Sequence, residues 1–309
     1  MNKSLFSTYG YHLLAIVTAV IWGTTFVSTK ILINYGLRPE EIMLYRFVIA
    51  YLGIIVMVPR PFFARNWKDE LLFVVAGITG GSFYFLAENT ALRYTLASNV
   101  SILISVTPLM TAVLSHYLFR KEQKTTGESL SRRLLYGSLI AIGGVFLVVL
   151  NGRFLLKVNP LGDALTLLAA LLWAFYSMIL RKFGNHYSAL FITRKVFFYG
   201  IITILPFFAF SPIRMDWDLL LQPVVAANLI FLSLIASLAC YLVWNIVVRK
   251  LGVVSATNYI YLNPVSTLIT SSIVLNEHIT SVAILGSVLV LYGVYVAKRG
   301  FSFPKKTKI

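Results

Sequence analysis

Apolar stretches of about twenty residues recur along nearly the whole chain, with only short polar gaps between them. No other feature limits the fold so tightly, because ~20 residues of helix span the ~30 Å of hydrocarbon in a bilayer. Ten stretches fall near residues 11–35, 39–58, 69–92, 95–119, 132–150, 160–181, 187–210, 219–248, 254–275 and 278–298. The gaps make neighbouring spans antiparallel, and the longest polar stretch, Arg120 to Arg133, is too short to house a soluble domain. Of the 309 residues 58% are hydrophobic and 12% charged, against roughly 45–50% and 25% in soluble domains. One soluble core of this length could not cover so much apolar surface, so the expected solvent is lipid. The first run continues through Ile21 to Ile33 with no small-residue cleavage site, and reads as a span, not a removed signal.

The formal net charge is +16. On a soluble fold that would suggest nucleic acid. Here the basic residues cluster in the gaps, so no nucleic-acid partner is expected and the charge reads as a topology signal. With the amino terminus inside, eighteen of the 27 Lys and Arg fall on cytoplasmic segments and five on the other side. Both termini are therefore expected in the cytoplasm, in a multi-pass protein of the cell inner membrane. Lys30, Arg46, Arg194 and Lys195 fall inside spans. Cys240 stands alone, so no disulfide forms within the chain. His12, His116, His186 and His278 are far apart and show no metal-ligand spacing; neither a metal nor a cofactor is expected.

The two halves of the chain resemble each other. Gly137, Gly144 and Val145 near the end of the first half match Gly286, Gly293 and Val294 near the end of the second. Pro108 matches Pro264, Glu122 matches Glu277, Asn89 matches Asn245, Arg93 matches Arg249, Trp22 matches Trp173 and Arg46 matches Arg194. Residues 1–150 and 151–309 are thus expected as two copies of a five-span unit. An odd span count forces tandem copies into opposite orientations, an arrangement recurrent in secondary transporters, whose substrate sites lie at the midplane between the copies.

The run from Gly162 and Asp163 through Leu165 and Ala169 to Trp173 and Ala174 resembles the drug/metabolite transporter superfamily in its EamA-like branch. So do Trp22-Gly23 and Arg46 in the first copy, Ala91 to Asn99 leading into Pro108, and Leu251 to Ala256 leading into Pro264. The chain departs from that pattern at Lys121 and Asn276, where the family usually has glycine before a glutamate. The resemblance implies an all-α integral membrane protein of ten transmembrane helices, built as two inverted five-helix repeats around a central cavity. Spans 1, 3, 4, 6, 8 and 9 would line the cavity, with spans 5 and 10 at the periphery. It also implies alternating access and a small-molecule substrate, and the protein is expected as a monomer or homodimer in the lipid bilayer.

Polar groups within spans mark candidate sites. An ionisable group in the bilayer needs a partner or water. Glu88 reads as the one acid within a span, in reach of Lys30 or Arg46. Arg194 and Lys195 have no acid in view at their depth; Lys195 is expected to snorkel to the interface, and Arg194 to serve a cavity or an interhelical contact. Tyr84 and Glu88 share a helix face with Asn89 adjacent, as do Tyr241 and Asn245, and Asn258 and Tyr261. With the central Trp22 and Trp173 these form the expected substrate-binding set. Asn99, Ser105 and Thr107 before Pro108, and Asn263 before Pro264, add polar groups on spans 4 and 9. Pro108 and Pro264 each remove a helix hydrogen bond at mid-depth and are expected hinges. Gly77 with Gly81, Gly137 with Gly144 and Gly286 with Gly293 suit close helix packing.

The inverted repeat points to a secondary transporter, and the resemblance implies an exporter of amino acids or similar metabolites. An exchanger of anionic metabolites is the alternative, drawn from the excess of positive charge within spans; the resemblance implies a sugar-phosphate or nucleotide-sugar type for it. An intramembrane enzyme lacks its motifs: no His-Glu-x-x-His, Gly-x-Ser-x-Gly or paired carboxylates occur within spans.

Overall fold

The computed structural model describes residues 3–57, 63–119, 132–150, 159–184, 186–275 and 280–299. Lys121, Glu122, Asn276, Glu277, His278 and the basic residues of the carboxy-terminal tail lie outside them. Within them, helix occupies each of the ten apolar segments. The helices are α1 (Lys3–Asn34), α2 (Pro39–Met57), α3 (Trp67–Tyr94), α4 (97–118), α5 (Arg132–Leu150), α6 (Pro160–Phe183), α7 (Ala189–Ala209), α8 (Pro223–Leu251), α9 (253–275) and α10 (Ser281–Arg299). Asn66, Asn159 and Ser188 cap α3, α6 and α7, each side-chain oxygen accepting from the N–H three residues on. Gly252, at φ 82°, ends α8 in a conformation that disfavours a side chain and turns the chain into α9.

Among the described residues five stretches are by themselves long and apolar enough to cross a membrane: Tyr9–Asn34, Trp67–Tyr94, Pro160–Phe183, Ala189–Ala209 and Pro223–Leu251. The other segments differ for identifiable reasons. The 19-residue α2 carries Glu40, Glu41 and Arg46. The apolar cores of α5 and α10 are short, Leu135–Leu147 and Ile284–Val296. Both α4 and α9 are broken. α4 is split into Ala97–Ile104 and Thr107–Leu118; α9 runs Val253–Thr257, then a 3-10 turn Asn258–Leu262, then Asn263–Leu275. Each restart places its proline, Pro108 or Pro264, at the second residue of the new helix, where the missing N–H leaves no hydrogen bond unmade. α3 and α8 stay continuous but each contains a π-helical stretch, Ile78–Ser82 and Phe231–Ala239.

Helices of one half pack against helices of the other. α1 lies against α8 and α9, and α6 lies against α3 and α4. α2 meets the π stretch of α8, and α7 meets that of α3. α5 and α10 form the most extensive pair. A methyl group on Gly144 would sit 2.6 Å from the Gly286 carbonyl, and one on Gly293 would sit 2.6 Å from the Gly137 carbonyl. As the number rises along one helix it falls along the other, so this pair is antiparallel, and matching glycines contact each other's partners reciprocally. Gly77 of α3 packs as closely on Tyr199 and Gly200 of α7. The core follows one stripe of each helix: on α1, Ala15, Ala19, Trp22 and Phe26 are buried while Leu13, Val17 and Val20 are exposed. Both faces are apolar, as lipid outside and protein inside require.

Candidate functional site

The interlocking halves leave a narrow, partly open cavity of ≈ 30 Å³. Its wall comes from α1 (Trp22, Thr25, Phe26), α2 (Arg46), α3 (Tyr84, Phe85, Glu88), α4 (Ile104, Thr107), α6 (Trp173), α8 (Tyr241) and α9 (Ile260, Asn263). No described residue of α5, α7 or α10 lines it, and α2, outside the set implied by the resemblance, contributes Arg46.

Four aromatic residues form one side. Trp173 stands edge-on to Trp22 with centroids 5.1 Å apart, 5.0 Å from Tyr84 and 5.8 Å from Tyr241. Two of their polar tips are anchored by the π stretches. Trp22 Nε1 donates to the Ala236 carbonyl at 3.0 Å, and the Tyr241 hydroxyl to the Gly80 carbonyl at 2.6 Å. Both acceptors lie in the wide turns of α8 and α3, so each π stretch holds an aromatic side chain that borders the cavity. Trp173 Nε1 and Asn263 Oδ1 are buried on the wall with no hydrogen-bond partner. A bare buried donor and acceptor are costly unless a ligand or water completes them.

Two charged groups face the same space. Arg46 is 2% exposed, its Nε donates to Ser237 of α8, and its guanidinium lies 4.2 Å from the centre of the Phe85 ring. Glu88, also 2% exposed, has Tyr84 and Arg46 as its electrostatic neighbours. Among the described residues no ion pair within 4.0 Å involves either one.

The other expected site residues lie elsewhere. Lys30 does not reach Glu88; its ammonium donates to the carbonyls of Leu92 at 2.6 Å and Thr95 at 3.3 Å, where a cation offsets the negative end of α3. Asn89 donates to the Pro39 carbonyl at 3.1 Å and ties α3 to α2. Asn245 bridges helices, donating to Thr193 of α7 at 2.8 Å and accepting from Tyr176 of α6 at 3.4 Å. Tyr261 is wholly buried and faces Ser138 of α5, and Asn258 borders a separate pocket. Pro108 and Pro264 are not among the lining residues, while the residues just before them, Thr107 and Asn263, are. Arg194 is 1% exposed, its guanidinium 5.7 Å from the Phe191 ring.

Lys195 is a correction. It does not snorkel: it is 0% exposed and forms a salt bridge with Glu70 of α3, which also accepts from Tyr199. Glu88 is thus not the one buried acid of the helices; Glu41 and Glu70 are buried as well. At the far end of α2, Arg38 meets Glu41 at 2.5 Å and donates to the Pro212 carbonyl at 2.6 Å. The bond to Glu41 raises the Arg38 pKa above its usual value.

A family model described as the EamA-like transporter family matches residues 10–150 and again residues 160–298. An uncharacterized transporter of Archaeoglobus fulgidus is 28% identical over 289 residues, covering 92% of this chain and 96% of the relative. A protein named "Probable amino-acid metabolite efflux pump" in Escherichia coli K12 is 27% identical over 309 residues, covering 96% and 97%. A solved crystal structure superposes with a TM-score of 0.70 at 16% identity, over 94% of this chain and 96% of the other, a likeness of fold.

Proposed function

The chain belongs to the EamA-like transporter family, and from that premise we propose that it is a secondary transporter of amino acids or similar small metabolites, exporting them by alternating access through the central cavity. The reading takes all ten helical segments as membrane-crossing, with residues 1–150 and 151–309 as inverted five-helix repeats. Three matched features support it: the reciprocal glycine contacts of α5 and α10, the π stretches of α3 and α8, and the breaks before Pro108 and Pro264. An inner-membrane location with both termini in the cytoplasm follows from the basic residues.

One observation carries the substrate reading. The cavity presents one guanidinium, one carboxylate and an aromatic wall, with no ion pair joining the two charges. A zwitterion of modest size supplies a carboxylate for Arg46 and an ammonium for Glu88, and its side chain can lie on the rings. The name of the Escherichia coli relative agrees. An exchanger of anions is less well supported, because the positive charge that suggested it is placed elsewhere. Lys195 pairs with Glu70, Lys30 caps α3, and Arg194 is absent from the cavity wall. The test is counterflow in proteoliposomes, with an unlabelled amino acid inside and the same amino acid labelled outside. Saturable accumulation of neutral amino acids, absent from empty liposomes, supports the proposal; accumulation of phosphorylated anions alone overturns it.

A further inference from the structure

A second, polar pocket of ≈ 290 Å³ lies at the α8–α9 turn, between His12 of α1, Lys250 at the end of α8, Ser255, Asn258 and Tyr259 of α9, and Val294 of α10. It shares no residue with the central cavity. Among the described residues its wall is basic, with Lys250 and His12 and no acid. The Tyr259 hydroxyl lies 2.8 Å from His12 Nδ1 and fixes that side of the pocket. Asn258 is 7% exposed, and its Oδ1 has no hydrogen-bond partner. The pocket therefore offers a cation to an anion and a buried acceptor to a hydroxyl or ammonium.

Its surroundings indicate the source of such a ligand. Leu13 and Val17 on α1, and Leu291 and Tyr295 on α10, are large and exposed on the outer faces of the two helices that flank it. In a bilayer those faces meet acyl chains, and a helix end carrying Arg249 and Lys250 lies at headgroup level. Basic pockets between helices at that level suit anionic headgroups.

We propose that this pocket binds the headgroup of an anionic, hydroxyl-bearing phospholipid of the phosphatidylglycerol type. The phosphodiester lies against Lys250, the headgroup hydroxyl donates to Asn258 Oδ1, and the acyl chains run along α1 and α10. A soluble phosphate ester shares the phosphate chemistry, so the test separates the two sources. The full chain, purified in an uncharged detergent, is titrated with phosphatidylglycerol, phosphatidylcholine or glycerol phosphate, and bound ligand is read by native mass spectrometry. Phosphatidylglycerol is expected to bind in preference to phosphatidylcholine. Lys250→Gln should weaken that binding about fivefold, and Lys250→Arg should restore it. Lys182→Gln, at an exposed position of α6, should leave it unchanged. Because Lys250 is exposed, its replacement spares the fold, and the readout does not depend on transport. Equal binding of the two lipids, or equal effects of the Lys250 and Lys182 changes, overturns the proposal. Binding of glycerol phosphate as tight as that of the lipid, lost with Lys250→Gln, assigns the pocket to a soluble phosphate and overturns the lipid assignment.

Discussion

Trp22 and Trp173, matched positions in the two halves of the sequence, meet edge to face with ring centroids 5.1 Å apart. Trp22 is anchored through its N–H to Ala236, whereas the N–H of Trp173, a lining residue, is buried without a partner. The two rings therefore do different work. Trp173→Phe keeps an aromatic face and deletes the donor, so its effect isolates a hydrogen bond to the ligand, about 1 kcal/mol or roughly fivefold in affinity. Trp173→Ala also removes the ring contact and should cost about tenfold or more. Both should elute as folded protein in detergent. Binding measured on purified protein checks the order; a Phe variant that binds as tightly as wild type removes the N–H from the site.

The reciprocal glycines make a structural prediction. A side chain on Gly144 or Gly293 meets backbone, at 2.6 Å from Gly286 O in one case and 2.5 Å from Ala141 N in the other. Backbone cannot move aside as a flexible side chain can. Gly144→Ala and Gly293→Ala should each destabilise by about 1–3 kcal/mol, and by similar amounts because the contacts mirror each other. Gly143, with nothing within 4 Å of its added methyl, is the control and should change little. Thermal unfolding in detergent compares the three.

Much of the helical layout was legible from the apolar runs, and the Trp22–Trp173 match pointed to a real contact. The inward face of each helix was harder to read. In a membrane both the lipid face and the packed face are apolar, so periodicity does not tell them apart. Polar residues were the remaining signal, and they have two uses. Tyr84, Glu88 and Tyr241 border the cavity, while Asn89 and Asn245 satisfy hydrogen bonds between helices. The apolar lining residues Phe26, Phe85, Ile104 and Ile260 carry no mark in the sequence. Thr107 and Asn263 did carry one, as the polar residues immediately before the two matched prolines. The Glu70–Lys195 pair joins positions 125 apart, and Glu70 sits at the edge of its apolar run, where it reads as a headgroup residue.

That pair gives a stability prediction. Lys195 and Glu70 are both buried, and Tyr199 shares the carboxylate. Removing one partner leaves an uncompensated buried charge, which costs about 3–5 kcal/mol. Lys195→Met or Glu70→Gln alone should sharply lower the unfolding temperature and the yield of folded protein. The double variant Lys195→Met with Glu70→Met should recover much of the loss, since two apolar side chains leave no stranded charge. A double variant as unstable as the worse single one would show that the cluster does more than balance charge.

Pro108 and Pro264 permit a prediction about motion. Both stand at the restart of a broken helix, and the residue before each faces the cavity. Replacing either with Ala supplies an N–H and allows the two pieces of α4 or α9 to join into one helix. Equilibrium binding should stay within about twofold, because no lining side chain changes, while turnover falls at least tenfold if these breaks flex during transport. Those limits correspond to ~0.4 and ~1.4 kcal/mol. Binding and counterflow measured on the same preparation separate the two effects. Unchanged turnover in both variants would make the breaks static features of the fold.

The two charges in the cavity discriminate between substrate classes. Arg46 is held by Ser237 and Phe85, and Glu88 lies beside Tyr84, so each is positioned by neighbours other than its opposite charge. A zwitterionic ligand engages both groups, and hydrogen bonds to charged groups contribute about 1.5–3 kcal/mol each. Glu88→Gln and Arg46→Gln should then each weaken amino-acid binding by roughly 10- to 100-fold. An anionic ligand engages Arg46 alone and is repelled by Glu88. For it, Arg46→Gln should abolish binding while Glu88→Gln leaves it unchanged or tighter. Substitution at Glu88 therefore moves affinity in opposite directions for the two classes. Competition binding with a neutral amino acid and with a phosphorylated anion, on the same two variants, reads that sign directly. Loss of amino-acid affinity in Arg46→Gln alone, with Glu88→Gln equal to wild type, would show that the ammonium does not sit at Glu88 and would move that end of the ligand to the unpartnered Oδ1 of Asn263.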